Sequence, residues 1–347
     1  MAIITHKSAV SAVYADAACR GWVLPAFGTE NSTTTEAILA GTAAHAASLG
    51  EPELPVILAI TNLYDERQQS VNYTHTGRWD VGMKRFLSDV RLLAGEPDSP
   101  FADLRVMIHL DHIRPDIDGE LLAWDMSAFS SILFDASAFA PEENIRLTRQ
   151  FVEAQRENVL IEGAFEGVAS AGKSVTDTLS AKPSLDTIAD AAQDYVRETG
   201  VDLVVADLGT EHRAGAAQLF YRQDTARAIA EKIGARLVLH GTSSVPEESL
   251  GGLFADGISK VNLWTALERD SAPPLFADMV RNAAKVVGAK EATRLFEQGF
   301  LGTEADRVSC PDLAFFTTAY RQAHVFNAMR DLVTRYLVRW YTPRKDA

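Results

Sequence analysis

Three histidines stand where a chain can do metal chemistry. His112 follows the apolar run RVMIHLD, His212 follows DLVVADLGTE, and His240 ends RLVLH. Neutral imidazoles are good ligands for zinc and similar divalent ions. Three of them with a fourth position open describe a catalytic site in which the cation acts as a Lewis acid on a substrate oxygen. Asp111 stands next to the first of the three. A carboxylate beside a bound cation either moves a proton as general acid or base, or orients a histidine from behind. The stretch LHGTSSVP (239–246) adds a second kind of chemistry, because the backbone N–H groups of a small-residue turn before a helix bind phosphate, with Ser243 supplying a hydroxyl.

These residues lie far apart in sequence, so they meet only if the fold gathers them. Eight short apolar runs read as strands: VLPAF (23–27), PVILAIT (55–61), RVMIHL (105–110), FSSILFD (129–135), NVLIEG (158–163), DLVVAD (202–207), RLVLH (236–240) and ISKVNL (258–263). Most are followed by a stretch of helical periodicity with recognisable ends. Thr33-Thr34-Thr35-Glu36 offers a capping box for a helix that Gly50 stops, PEENIRLTRQFVEAQ (141–155) has acids in its first turn, and Ser184 and Asp224 each precede a further helix. Strand-and-helix units repeated eight times, with strands apolar on both faces, predict an α/β fold, a parallel (β/α)8 TIM barrel. No G-x-G-x-x-G follows any strand, which argues against an open dinucleotide-binding sheet. In a barrel the carboxyl ends of the strands form one rim, and His112, His212, His240 and Asp111 all fall on it. Asn262 and Thr265, ending the eighth strand, face the corner where barrels often hold phosphate. Period 2 along RVMIHLD turns Met107, His109 and Asp111 inward, which makes His109 a buried structural residue.

Residues 1–271 are expected to form the barrel and 272–347 a C-terminal helical extension, broken around 299–312. The aromatic stripe of DLAFFTTAYRQAHVFNAMRDLVTRYLVRWY is read as an oligomerisation arm of a homodimer or homotetramer. Two connections are long, 62–104 after the second strand and 164–183 after the fifth; the second is rich in Gly, Ala and Ser, as a lid would be.

Composition narrows the partners. A formal charge of −14 over 347 residues opposes sequence-independent nucleic-acid binding and anionic membranes, which both demand a cationic surface. No run is apolar for long enough to span a bilayer, the N-terminus lacks a signal-peptide core, and Cys19 and Cys310 form no paired motif, so a reducing cytoplasm is the expected compartment.

At HLDH (109–112), DASAFAPEENIRLT (135–148), TGVDLVVADLGTEH (199–212), LVLHGTSSVP (237–246) and KVNLWT (260–265) the chain resembles, in collinear order over roughly residues 10 to 270, the class II metal-dependent ketose-bisphosphate aldolases. The resemblance implies that His112, His212 and His240 hold the catalytic divalent metal, usually zinc, with manganese or cobalt as substitutes. It implies an aldol bond cleaved or formed next to a ketose or ketose-phosphate carbonyl through a metal-stabilised enediolate, Asp111 handling the proton of the hydroxyl across the scissile bond. Gly241, Ser243, Asn262 and Thr265 fall where the family binds the phosphate and hydroxyls of dihydroxyacetone phosphate. For the glutamate that the family places on the loop after the fifth strand to exchange the enediolate proton, the resemblance points to Glu162, with Glu166 and Asp177 as stand-ins. Three positions depart from the family: Gly28 replaces its usual asparagine, Arg213 a glycine and Trp264 an acid or amide. Arg213 could pair with a substrate phosphate, carboxylate or sulfonate, or seal the rim against Glu211. These departures point to a ketose or keto acid other than fructose bisphosphate. A metal-dependent sugar-phosphate isomerase or epimerase, and a non-catalytic sugar-phosphate-binding barrel, are the competing readings.

Overall fold

The structure is a computed structural model and describes residues 3–165, 184–210 and 220–342. Eight parallel strands close into a barrel in sequence order: β1 (Leu24–Gly28), β2 (Pro55–Thr61), β3 (Arg105–Ile113), β4 (Ser131–Phe134), β5 (Leu160–Ala164), β6 (Leu203–Val205), β7 (Leu237–Leu239) and β8 (Ile258–Leu263). The helices are α1 (Lys7–Arg20), α2 (Ser32–Leu49), α3 (Gln69–Asn72), α4 (Trp79–Val90), α5 (Gly119–Leu122), α6 (Pro141–Gln155), α7 (Leu185–Thr199) and α8 (Gln223–Ile233). Beyond the barrel come α9 (Thr265–Arg281), α10 (Ala283–Val287), α11 (Ala289–Glu297), α12 (Leu313–Phe316) and α13 (Thr318–Trp340). The expected (β/α)8 architecture is thus the observed one.

The strands are apolar on both faces because both faces are buried: one packs on the helices and the other fills the barrel. Register carries this through the sheet. Ala59 of β2 stands opposite His109 of β3 and Thr61 opposite Asp111, so the inward positions of neighbouring strands stack in layers that rise toward the rim. Helix ends follow the expected chemistry with one shift. The capping box of α2 is built on Asn31, two residues before the expected Thr33: its side-chain oxygen accepts from Thr34 N, and its own backbone N–H donates to Thr34 Oγ1; Gly50 closes the helix with φ 68°. Ser184 caps α7 as expected, while Asp224 lies inside the first turn of α8.

The boundary expected at residue 271 falls within α9, which runs on through Pro273 and Pro274. The final helix is likewise part of the barrel's own packing. Met329, Leu332, Val333, Leu337 and Trp340 of α13 are buried, and the helix approaches α2 so closely that a Cβ on Gly41 would lie 2.7 Å from Arg330 O. Tyr341 packs on Trp22 at 4.7 Å between ring centroids and donates to Pro55 O. The expected aromatic stripe is therefore spent largely on α2 and the base of the barrel. Phe276, Phe300, Val308 and Leu313 are exposed ahead of α13, and Val338 is exposed within it.

Candidate metal centre and substrate cleft

The β3 strand runs past its expected end at Leu110 and carries the site on its last turn of backbone. Register against β4 shifts between Leu110 and Ile113, and within that bulge His112 takes φ 50°, the only positive φ of a non-glycine among the described residues. A bulge re-aims side chains, and here Asp111 and the next residue come to lie beside one centre instead of on opposite faces. Left-handed backbone at a non-glycine costs about 1–3 kcal/mol and persists only where surrounding contacts hold it. Among the contacts that hold it, His112 Nδ1 lies 2.7 Å from Asp135 Oδ2, and the ring stacks on Tyr64 at 4.4 Å between centroids.

The Asp135 contact also selects the tautomer. Burial by itself would raise the Asp135 carboxyl, but the hydrogen bond and charge of His112, with further bonds from Ser137 N and Oγ, draw it down to about 2. An ionised Asp135 can only accept, so Nδ1 of His112 carries a proton; in the neutral ring that a metal requires, Nε2, the atom facing His240, is then the lone-pair atom. His112 Nε2 and His240 Nδ1 are 3.2 Å apart. Tetrahedral zinc with Zn–N bonds of 2.0–2.1 Å sets neighbouring ligand nitrogens about 3.3 Å apart, so this spacing fits one edge of such a site. Asp111, His112 and His240 are all buried, with one donor atom from each inside a 4.8 Å group. Two imidazoles and a carboxylate make a donor set suited to zinc.

Asp111 stands at this centre with both oxygens engaged. Oδ2 accepts from Arg67 Nη2 at 2.5 Å and Oδ1 from Asn262 Nδ2 at 3.0 Å. Burial opposes its charge, yet the cationic surroundings of His112 and Arg67, with His109 and His240, hold the carboxyl well below the ordinary range. His212 and Arg213 lie outside the described residues, as do Glu166 and Asp177.

One cleft is lined by Arg67, His240, Gly241, Ser243, Asn262 and Thr265. Gly241, at φ 66°, turns the chain after β7 into a short 3-10 segment, Thr242–Ser244, and Ser243 Oγ is buried there without a hydrogen-bond partner. Thr265 begins the 17-residue helix α9, whose first N–H groups carry the positive end of the helix dipole. The geometry therefore brings all four expected phosphate and hydroxyl contacts together.

Glu162 is the exception, and the expectation for it is corrected. Its side chain is fully buried inside the barrel, both oxygens lie 2.8 and 3.0 Å from Lys260 Nζ, and the same ammonium is 3.0 Å from His109 Nε2. A carboxylate consumed in neutralising a buried lysine is not presented to a substrate at the rim. His109, also bound to Ser131 Oγ at 2.8 Å, is the interior scaffold residue that strand periodicity indicates. Three site residues were given no role from the sequence: Asp135, although it opens the motif DASAFAPEENIRLT, and Tyr64 and Arg67. Asp135 ends the expected strand FSSILFD, a position that flags rim residues, whereas Tyr64 and Arg67 come from a long connection with no local signature.

Comparison with known proteins agrees with this geometry. The family model described as fructose-bisphosphate aldolase class-II matches residues 8–306. A fructose-bisphosphate aldolase of Thermus caldophilus is 30% identical over 244 residues, covering 70% of each chain. The D-tagatose-1,6-bisphosphate aldolase subunit GatY of Klebsiella oxytoca is 28% identical over 251 residues, covering 72% of this chain and 78% of that one. In fold, the crystal structure of fructose-bisphosphate aldolase from Campylobacter jejuni superposes with a TM-score of 0.69 at 17% identity, covering 99% of this chain and 96% of the other. The chain belongs to the class II fructose-bisphosphate aldolase family and is a metal-dependent aldolase, a carbon–carbon lyase.

Proposed function

We propose that His112 and His240, with His212 as third ligand, hold a zinc ion for the cleavage or formation of an aldol bond in a ketose phosphate, manganese or cobalt serving in its place. The observation that carries this reading is the 3.2 Å approach of His112 Nε2 to His240 Nδ1, with Asp135 fixing the first ring and Asp111 alongside. Such an ion supplies a Lewis acid for the ketose carbonyl and for the negative charge that collects there as the carbon–carbon bond breaks.

The chain's own residues do the rest. Asp111, ionised and clamped by Arg67 and Asn262, takes the proton of the hydroxyl across the scissile bond in cleavage and returns it in addition. The unpartnered Ser243 hydroxyl, the Gly241 backbone and the N-terminus of α9 at Thr265 receive the ketose phosphate, and Asn262 a hydroxyl. Arg213 is assigned to a further anionic substituent or to the rim. Exposed Phe276, Phe300, Val308 and Leu313 suit a homodimer or homotetramer contact, and two free cysteines suit the cytoplasm.

The reading is tested by screening dihydroxyacetone phosphate, dihydroxyacetone and pyruvate against a panel of aldehydes with zinc present. New carbon–carbon products, lost in Asp111→Asn, are expected. A ketose converted to a single rearranged isomer, with no two-fragment product, would favour the isomerase instead.

A further inference from the structure

Asp111 is held at both oxygens, and both holds lead back to the end of β8. Asn262 donates Nδ2 to Oδ1 directly, whereas the donor to Oδ2 is Nη2 of Arg67, from the connection after β2. Arginine is long and rich in rotamers, so an ion pair alone leaves its plane loosely set. Nε of Arg67 is buried without a hydrogen-bond partner among the described residues, so no second bond through that atom orients the guanidinium. A ring face does. The guanidinium carbon lies 5.2 Å from the ring centroid of Trp264, two residues after Asn262, and Thr61 Oγ1 bonds the Arg67 carbonyl behind it.

The indole is in turn fixed. Nε1 donates to Glu30 Oε1 at 2.5 Å, the same oxygen accepts from Gln69 Nε2 at 2.9 Å, and Gln69 Oε1 accepts from Thr61 N of β2 at 2.9 Å. Gly28 makes the room. A Cβ there would lie 3.0 Å from Trp264 Cβ, 3.1 Å from its Cδ1 and 3.2 Å from Gln69 Nε2, so any side chain would press the indole from its seat. Gly28 and Trp264, two departures from the family, are thus one feature, and its outcome is the placement of Arg67. We propose that Trp264, seated against Gly28 and acting through Arg67, is a positioning residue for Asp111, orienting the carboxylate toward the hydroxyl whose proton it moves. This inference rests on the aldolase reading and on the part Asp111 takes in it.

The test separates two proton transfers. Exchange of the carbon-bound hydrogen of dihydroxyacetone phosphate in deuterium oxide does not use the hydroxyl proton that Asp111 carries, whereas addition of dihydroxyacetone phosphate to glyceraldehyde 3-phosphate does. Trp264→Leu, which removes the ring face, should lower kcat for addition by roughly 10- to 100-fold, the range for a displaced reacting group. The exchange rate and the KM for dihydroxyacetone phosphate should stay within a few-fold of wild type, with zinc still bound. Trp264→Phe, which keeps a face but loses the bond to Glu30, should fall between, and Gly28→Ala should move in the same direction with the indole intact. Equal losses in exchange and addition overturn the proposal, because general damage moves both. Addition at the wild-type rate in Trp264→Leu overturns it too, as does loss of the bound zinc, which would make the indole a support of the metal centre. A readout free of substrate is chemical denaturation across a mutant cycle. The effects of Trp264→Leu and Asp111→Asn should be non-additive in wild type and additive once Arg67→Gln is present. Additivity in both backgrounds overturns the relay whatever the enzyme turns over. A wild type that neither exchanges nor adds strikes the substrate reading instead, and non-additivity carried by Arg67 then still supports the positioning of Asp111.

Discussion

Asp135→Asn isolates the device that points His112 at the metal. Asparagine is nearly isosteric, so the fold around β4 should survive, with Ser137 N still able to bond the amide oxygen. Opposite His112 Nδ1, 2.7 Å away in the wild type, the variant offers an NH2 donor or a neutral carbonyl in place of an ionised acceptor. An NH2 in that position moves the imidazole proton to Nε2, the atom that faces His240, and removes the lone pair a metal uses. Loss of such an orienting partner costs 10- to 100-fold in metal affinity, about 1.4–2.7 kcal/mol. The left-handed backbone of His112 adds to this, since about 1–3 kcal/mol of strain is then held without the Asp135 ion pair. The expected result is zinc affinity weakened by roughly 30-fold or more, measured by competition with a chelator of known affinity, with activity recovered at high zinc. Wild-type zinc affinity in a folded variant would refute the argument that Asp135 sets the His112 tautomer.

Three further outcomes follow from the packing. Glu162→Gln leaves the Lys260 ammonium buried without its counter-charge, so chemical denaturation should show a loss of about 3–5 kcal/mol, recovered in large part by pairing it with Lys260→Met; a fully stable Glu162→Gln that loses only proton exchange into dihydroxyacetone phosphate would reinstate Glu162 as a catalytic group. Gly41→Ala places a Cβ 2.7 Å from Arg330 O and should cost about 1–3 kcal/mol by pushing α13 from α2, read in the same assay; a neutral effect would mean that the helix is not seated as described. Burial, and after it the charge of Glu30, push the Glu268 carboxyl up to about 7. The folded state therefore holds a proton that the unfolded chain releases near 4.3, and stability should fall as pH rises between these values. Glu268→Gln should match wild type near pH 4 and exceed it increasingly up to about pH 7, the difference then levelling; a difference in melting temperature independent of pH would contradict that.

How much was legible depended on how local the cause was. Strand period and cap chemistry are local, so PVILAIT and ISKVNL coincide with β2 and β8 to the residue. The inward set of β3 was also readable, because alternation alone sends His109 and Asp111 to one side. The bulge that lengthens β3 was not, since it arises from the fit between β3 and β4 and from the Asp135 contact across them. Glu162 went astray for the same reason: an alignment gives its position along β5 but not that Lys260, nearly a hundred residues later, meets it inside the barrel. Arg67 and Tyr64 belong to a connection without periodicity, where only tertiary structure shows a side chain returning to the rim. The amphipathic stripe of α13 was visible, but a stripe says that a face is buried and not against what; α2 provides the partner. Gly28 and Trp264 were noted separately, and their contact makes them one substitution.

The central claim is that His112 and His240 form the core of the catalytic metal centre. Its most direct test is a zinc titration of metal-stripped protein, followed by bound metal per chain and by aldol cleavage in parallel. One equivalent of zinc per chain should bind and restore activity in the wild type, while His112→Ala and His240→Ala, folded by circular dichroism, should bind no tight equivalent and remain inactive. Full stoichiometric binding by either variant, or wild-type turnover that continues with zinc removed, would contradict it.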